Sequence, residues 1–364
     1  MWEWYDASEV QDNIVAALEH HDRVIRIDLQ DLPSEILSAV TSKLFPVLTK
    51  LDLSSSDEMA PVLDEEFLGE SAPHLEIFSL ENIGFPKFPK LALSCSCLHD
   101  LTLWHIPISG YISPEAMAIC LATLPSLHRL SIGFESPRSR PDRIGLPPPT
   151  RAVLPALNEF EFAGASEYLE DLVARIDTPN LFWLRIHLFM DLMFNIPQLS
   201  KFIVRTEDIN SLNPAEIEFR SSSIRITVEH AVTLVIICNE PDWQASSMAQ
   251  VCSQLPSLSH VEQLHIREDT PGNARRGNGI DPMQFLELFH PFPTMQRLHI
   301  DGELVPLVAR ALQELTGESA TEVLPSLHSL VFKGSSPSGS IHKDIEGFIT
   351  ARQNSNHPVD VEWE

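Results

Sequence analysis

The sequence predicts an α/β fold in which short parallel strands alternate with helices. Three observations carry that prediction. A Pro in front of an L-x-x-L-x-L core recurs along the chain, apolar residues three and four apart fill the segments between recurrences, and the step from one recurrence to the next has room for one strand and one helix.

The phrase is clearest at Phe45–Leu53 (FPVLTKLDL) and Leu124–Ile132 (LPSLHRLSI). Variants stand at Ala72–Leu80, Leu98–Leu103, Leu154–Phe162, Thr178–Ile186 and Ile196–Val204, and three more at Val261–Ile266, Met295–Ile300 and Leu327–Phe332. The last apolar residues Leu53, Leu80, Leu103, Ile132, Phe162, Ile186 and Val204 are separated by 27, 23, 29, 30, 24 and 18 residues, so the array is irregular and not a consensus one. Helical spacing is read over Ser8–His20, Pro33–Leu44, Pro114–Leu124, Ser166–Ile176, Trp243–Leu255, Pro282–His290, Leu304–Thr316 and Ile341–Gln353. Ser113-Pro114 and Asp281-Pro282 have the cap and first-turn residues that helices favour. Parallel pairing follows, because each return to the same sheet edge needs a crossover helix. The expected architecture is an irregular leucine-rich-repeat solenoid, a horseshoe with parallel strands on the concave face and helices outside.

This array lacks an asparagine ladder: Ser56, Ile83, Ile106, Glu135 and Ala165 occupy that place, which points to the helix-rich, ribonuclease-inhibitor-like class of repeats. Glu216–Phe219, Ile224–Val228 and Thr233–Ile237 are three β-rich runs with no helix between them. They are read as a small antiparallel β-meander, residues 215–238, inserted in a single domain spanning residues 1–364.

At 364 residues and 43% apolar content the chain can bury a large core. Its longest apolar run, Ala231–Cys238, is far too short for a membrane span, and the start lacks a secretory pattern. Five cysteines, an odd and scattered set, and no Asn-x-Ser/Thr site favour a reducing compartment, cytoplasmic or nuclear. The net charge of −26 opposes nucleic-acid binding, since phosphate would be repelled.

Side chains alternate along a strand, so residues flanking the two core positions of x-L-x-L-x face outward. That rule selects Arg26, Asp28, Lys50, Asp52, Glu81, Asp100, Trp104, Arg129, Glu159, Glu161, Trp183, Arg185, His187, Lys201, Arg205, His265, Arg267, Arg297, His299, Asp301 and Lys333. Nine are basic and seven acidic, against 25 and 51 in the whole chain, and from Arg185 onward six are basic to one acidic. Trp104, Arg129, Trp183, Arg185, His187, Lys201, Arg205, His265, Arg267, Arg297 and His299 are therefore the candidate partner-binding residues. They suit a client protein that is acidic or phosphorylated, Arg by its bidentate fork and Trp by its rigid area.

No catalytic, cofactor or metal motif stands out, and the expectation is a protein that is not an enzyme. Cys95 and Cys97 have no second ligand pair at metal spacing. Gly277-Asn278-Gly279 lacks the strand that feeds a phosphate loop, and Ser335–Ser340 lacks the frame of a serine-hydrolase turn. Residues 135–152 form a Pro- and Arg-rich surface loop, and 270–281 and 333–340 are two further loops.

Several phrases, Gly110–Met117, Gly133–Pro141, Ser166–Asp177, Asp242–Ser247 and Ile349–Gln353, resemble basidiomycete fungal proteins that carry an F-box followed by leucine-rich repeats. The resemblance implies a ubiquitin-ligase adaptor whose repeats select a client while the F-box docks on a Skp-type adaptor. The F-box itself is missing. Leu32–Leu37 (LPSEIL) looks like its opening, yet Phe45 already begins a strand phrase, and Pro33–Leu44 reads as a repeat helix. A Skp-type partner would enter only through an F-box upstream of Met1. The alternative is an orphan repeat protein, a ligand sensor or enzyme inhibitor with no link to ubiquitin.

Overall fold

A computed structural model describes residues 7–31, 37, 43–64, 66–135, 150–190, 194–206, 209, 213–269, 281–315, 319–334 and 339–364. Most of the F-box-like phrase and of the expected helix Pro33–Leu44, and most of the loops at 135–152 and 270–281, lie outside these residues. The chain divides into two compact units, Met1–Leu181 and Phe182–Glu364, a division that repeat period alone does not mark.

In the first unit the recurrent phrases become parallel strands in chain order: β1 (Arg26–Leu29), β2 (Lys50–Ser54), β3 (Ile77–Glu81), β4 (Asp100–Ile106), β5 (Arg129–Phe134) and β7 (Glu159–Gly164). The core positions line up in register. Leu51, Phe78, Leu101, Leu130 and Phe160 make one buried row and Leu53, Leu80, Leu103, Ile132 and Phe162 the next. Two short strands, β6 (Ala152–Val153) and β8 (Ile176–Asp177), pair separately. Helices α1 (Ala7–Leu18), α2 (Phe88–Ala92), α3 (Pro114–Leu121) and α4 (Ser166–Val173) return the chain, and Ser113 caps α3 by accepting from Ala116 N–H at 3.2 Å. Between layers, Phe78 stacks on Phe88 and Tyr168 lies edge-on to Phe134, its hydroxyl donating to Ile112 C=O at 3.0 Å.

Gly84 and Gly110 pass back to back. A Cβ on Gly110 would sit 2.7 Å from Gly84 Cα and 3.2 Å from Phe85 N, both backbone atoms that cannot turn aside. Gly110→Ala is expected to cost about 1–3 kcal/mol in urea unfolding. Gly347, in the helix Gly339–Asn354 and with nothing within 4 Å of its Cβ position, is the internal control. Gly347→Ala should be neutral or stabilising by about 0.5–1 kcal/mol.

In the second unit the sheet runs β9 (Trp183–Phe189), β12 (Val232–Ile237), β11 (Ser223–Val228), β10 (Ala215–Phe219), β13 (Gln263–Glu268), β14 (Arg297–Asp301), β15 (Ser329–Lys333) and β16 (Asp360–Trp363). The expected meander is present, β10 to β12 pairing antiparallel. Its outer strands join the parallel array on both sides, β12 parallel to β9 and β10 parallel to β13, so the three strands carry the sheet onward. β16, which repeat reading left unassigned, extends β15.

The helices here are α5 (Pro197–Arg205), α6 (Pro241–Cys252), α7 (Pro282–Phe289), α8 (Val305–Gln313), α9 (Ser319–Glu322) and α10 (Gly339–Asn354). Asp281 caps α7 by accepting from Met283 N–H at 3.0 Å. One strand expectation is overturned. Ile196–Val204 forms α5, not a strand, because Leu199, Phe202 and Ile203 are buried at helical spacing while Val204 is exposed. The i, i+3 pair of L-x-x-L is common to both templates, and Pro197 in the first turn favours the helix.

Among the cysteines, only Cys97 is exposed. Burial pushes the thiols of Cys95 and Cys120 up to about 11 and about 12, and raises those of Cys238 and Cys252 as well. Titration of the native protein with a thiol-specific reagent near neutral pH is expected to show one fast thiol, and all five in denaturant. Two or more fast native thiols would contradict the packing. No helix of the described residues is long and apolar enough to cross a membrane.

Candidate functional site

The strand registers of the second unit decide which outward side chains meet. Arg185 of β9 aligns with Thr233 of β12, then Thr227 of β11, Glu216 of β10, His265 of β13 and His299 of β14. One pleat further along, His187 aligns with Val235, Arg225, Glu218 and Arg267 in the same order. Opposite charges thus face one another on adjacent strands, the pairing that stabilises a sheet surface.

Glu218 is the centre of this pattern. It is 2% exposed, yet Arg220 Nη2 lies 2.7 Å, Arg225 Nη1 3.3 Å and Arg267 Nη2 3.1 Å from its carboxylate oxygens. Arg220 also donates its Nε to Glu218 at 2.8 Å, with Asp269 3.6 Å away, and Arg267 Nε lies 2.6 Å from Glu216. A buried carboxylate is tolerated because it is paired and hydrogen-bonded.

Above these groups is a depression of about 510 Å³ whose lining includes Trp183, Arg185, Glu216, Arg225, Glu229, His265 and Arg267. Trp183 forms an apolar wall with the Arg185 guanidinium 4.6 Å over its ring. His265 Nε2 lies 2.8 Å from Asp301, and the rings of His265 and His299 meet edge-on at 5.8 Å. Burial, reinforced by His265 and Arg297, lowers the His299 pKa.

His187 reports the local field. Its imidazole pKa is pushed down to about 4, first by burial and then by Arg185, Arg225 and Arg220. The unfolded value is near 6.5, so between these two pH values the unfolded chain binds more protons and stability falls as pH drops. Between pH 7 and 5 the urea midpoint of the wild type is expected to fall further than that of His187→Gln. Equal falls would remove His187 from the balance.

Of the residues expected to bind a partner, Trp183, Arg185, His265 and Arg267 come together around the depression, with His187 on β9 as well and Arg297 and His299 on β14 beside β13. Lys201 and Arg205 do not belong to a strand face. Both sit on α5, where Arg205 lies 4.9 Å over the ring of Phe202. Trp104 and Arg129 belong to the first unit. Trp104 covers Gly133, and Arg129 is clamped by a bidentate pair to Glu159 at 2.7 and 3.2 Å and by Asp100 at 3.2 Å.

The basic excess read from sequence does not survive. Without Lys201 and Arg205, and with Glu216, Glu218 and Arg225 of the meander and Asp360 and Glu362 of β16 added, the outward strand positions from Arg185 onward hold five bases, Arg185, Arg225, Arg267, Arg297 and Lys333. They hold five acids, Glu216, Glu218, Asp301, Glu362 and Asp360. The face is mixed in charge. Arg225, Glu216 and Glu218 were missed although the same alternation rule selects them, because the rule was applied to the repeat strands and not to the inserted meander.

No family model matches the chain, and no curated protein matches it. Among solved structures, the leucine-rich repeat-containing protein LegL7 from Legionella pneumophila matches over 92% of this chain and 94% of its own, at 14% identity and a TM-score of 0.34. Superposition at that level is weak, and the strand order rests on the registers above.

Proposed function

We propose that the outward strand face of Phe182–Glu364 is a protein-recognition surface and that the chain is a binding module, not an enzyme. The observation that carries this reading is the depression walled by Trp183 and flanked by Arg185 and Arg267. Arg225 and Arg267 are already held by ion pairs and Arg185 lies over the Trp183 ring, so little of their side-chain entropy remains to be lost on binding. Trp and Arg in a preformed concavity are the residue types that dominate binding energy at protein interfaces. The finer reading, that the bound protein is the client of an F-box-type ubiquitin ligase, is supported by the sequence phrases that resemble F-box leucine-rich-repeat proteins.

The test is quantitative affinity capture with the full chain and with a Trp183→Ala/Arg185→Glu variant shown to be folded. Partners recovered by the wild type and lost at least tenfold with the variant are the expected result. Indifference to the variant would remove this face from the function. Ubiquitin-ligase subunits among the wild-type partners would support the finer reading, and their absence would favour a repeat protein that senses or inhibits without ubiquitin.

A further inference from the structure

We infer that the depression beside Trp183 takes an uncharged aromatic side chain of the bound partner, seated on Thr227 and Thr233. The inference rests on the reading of this face as a protein-binding surface. The strand registers show how the depression is made. In the row that joins Arg185 of β9 to Glu216 of β10, the two strands between them contribute Thr233 and Thr227, both short side chains. β9 and β10 are three strand spacings apart, about 14 Å, so the two threonines form a low floor wide enough for a ring. Taller groups stand around it. Trp183 and Arg185 rise on one side and Glu216 and Arg267 on the other, while along β11 Arg225 and the turn at Glu229 lie two residues to either side of Thr227.

Charge and shape select the occupant. Arg185, Arg225 and Arg267 line the depression with Glu216 and Glu229, and the pairs behind it add Glu218 and Asp269 but one arginine, Arg220, so the charges cancel four against four. His265, also at the lining, is paired with Asp301 at 2.8 Å. A charged side chain entering such a site gives up its hydration without meeting an excess of opposite charge. An aliphatic one finds little apolar surface beyond the indole. An aromatic ring loses little hydration, lies flat against indole and guanidinium planes, and is attracted to the arginines through its π-face. Arg185 already makes this contact with Trp183, its guanidinium 4.6 Å over the ring, so the partner's side chain adds to a planar stack formed in the free protein.

The experiment is phage selection of random peptides on the full chain, after depletion of the library on a Trp183→Ala variant, with affinities then measured for the selected peptides. Expected are peptides with one essential Phe, Tyr or Trp. Its replacement by Leu should weaken binding about fivefold or more, and by Glu or Lys further still. In the protein, Thr227→Phe raises the floor and should weaken the same peptides about tenfold or more. Thr102→Phe, the same change between the buried Leu101 and Leu103 on β4 of the first unit, should leave binding as it was. Aromatic residues suit outward strand positions. The peptide replacements are read on the wild-type protein, so they give an answer even if Thr227→Phe perturbs folding. Peptides that need Trp183 but bind equally with Leu or Glu in place of the aromatic residue, or that bind folded Thr227→Phe as tightly as wild type, overturn the aromatic subsite and leave the recognition face standing. A library that yields no peptide dependent on Trp183 overturns both.

Discussion

Arg352→Met is expected to destabilise the second unit by about 3–5 kcal/mol, the magnitude typical of losing a fully hydrogen-bonded buried charge partner. Arg352 is 1% exposed, and its guanidinium donates to four backbone carbonyls. Nε reaches His357 at 3.1 Å, Nη1 reaches Ala320 at 3.1 Å and Leu324 at 2.7 Å, and Nη2 reaches Leu327 at 2.6 Å. Three of these carbonyls belong to the segment that leaves α9 and enters β15, and the fourth follows the end of α10. A single side chain thereby ties the last helix to the chain before β15 and satisfies the carbonyls of three buried residues, Ala320, Leu324 and Leu327. Methionine keeps much of the volume and none of the donors. Burial lowers the Arg352 pKa, but from so high a starting value that the group stays charged at neutral pH.

The measurement is urea unfolding with hydrogen exchange read by segment. Protection of 319–333 and 339–363 should fall well before that of β10 to β13. Arg352→Lys should restore less than half of the loss, since one ammonium cannot reach carbonyls spread around a planar fork. A midpoint for Arg352→Met within about 1 kcal/mol of wild type would mean that these carbonyls find other partners.

The strands of the first unit were legible because the Pro and leucine positions of the phrase are set by local physics. Leu48, Leu51 and Leu53 are buried as the spacing requires, and Lys50 and Asp52 alternate outward between them. The capping pairs at Ser113 and Asp281 were legible for the same reason. What local sequence could not show is which strand lies beside which. Glu216 and Glu218 acquire their meaning from His265 and Arg267 opposite them, some fifty residues away, and that register depends on where the meander joins the sheet. The phrase Ile349–Gln353 carries a family resemblance, yet nothing in it discloses that Arg352 is turned inward onto carbonyls of another segment. The apparent basic face was a product of the same blindness. Arg267 looks like a free cation until its two glutamates are placed next to it.

Glu218→Gln is expected to cost about 2–4 kcal/mol and to loosen the candidate site together with the fold around it. The amide keeps the shape of the carboxylate but not its charge, so Arg220, Arg225 and Arg267 would converge on a neutral group and repel one another. The three side chains are themselves 30%, 31% and 43% exposed, so water screens part of that repulsion, and the cost stays below that of a fully enclosed network. Removing the one cation that has no other carboxylate should recover part of the loss. Glu218→Gln/Arg225→Gln is therefore expected to be more stable than Glu218→Gln alone, a coupling that a double-mutant cycle reads directly. Binding separates the two roles of the network. If Glu218 serves to hold Arg225 at the wall of the depression, the double variant regains stability without regaining the partners that the wild type captures. Recovery of both, or of neither, would show that the arginines are held by something other than the carboxylate at their centre.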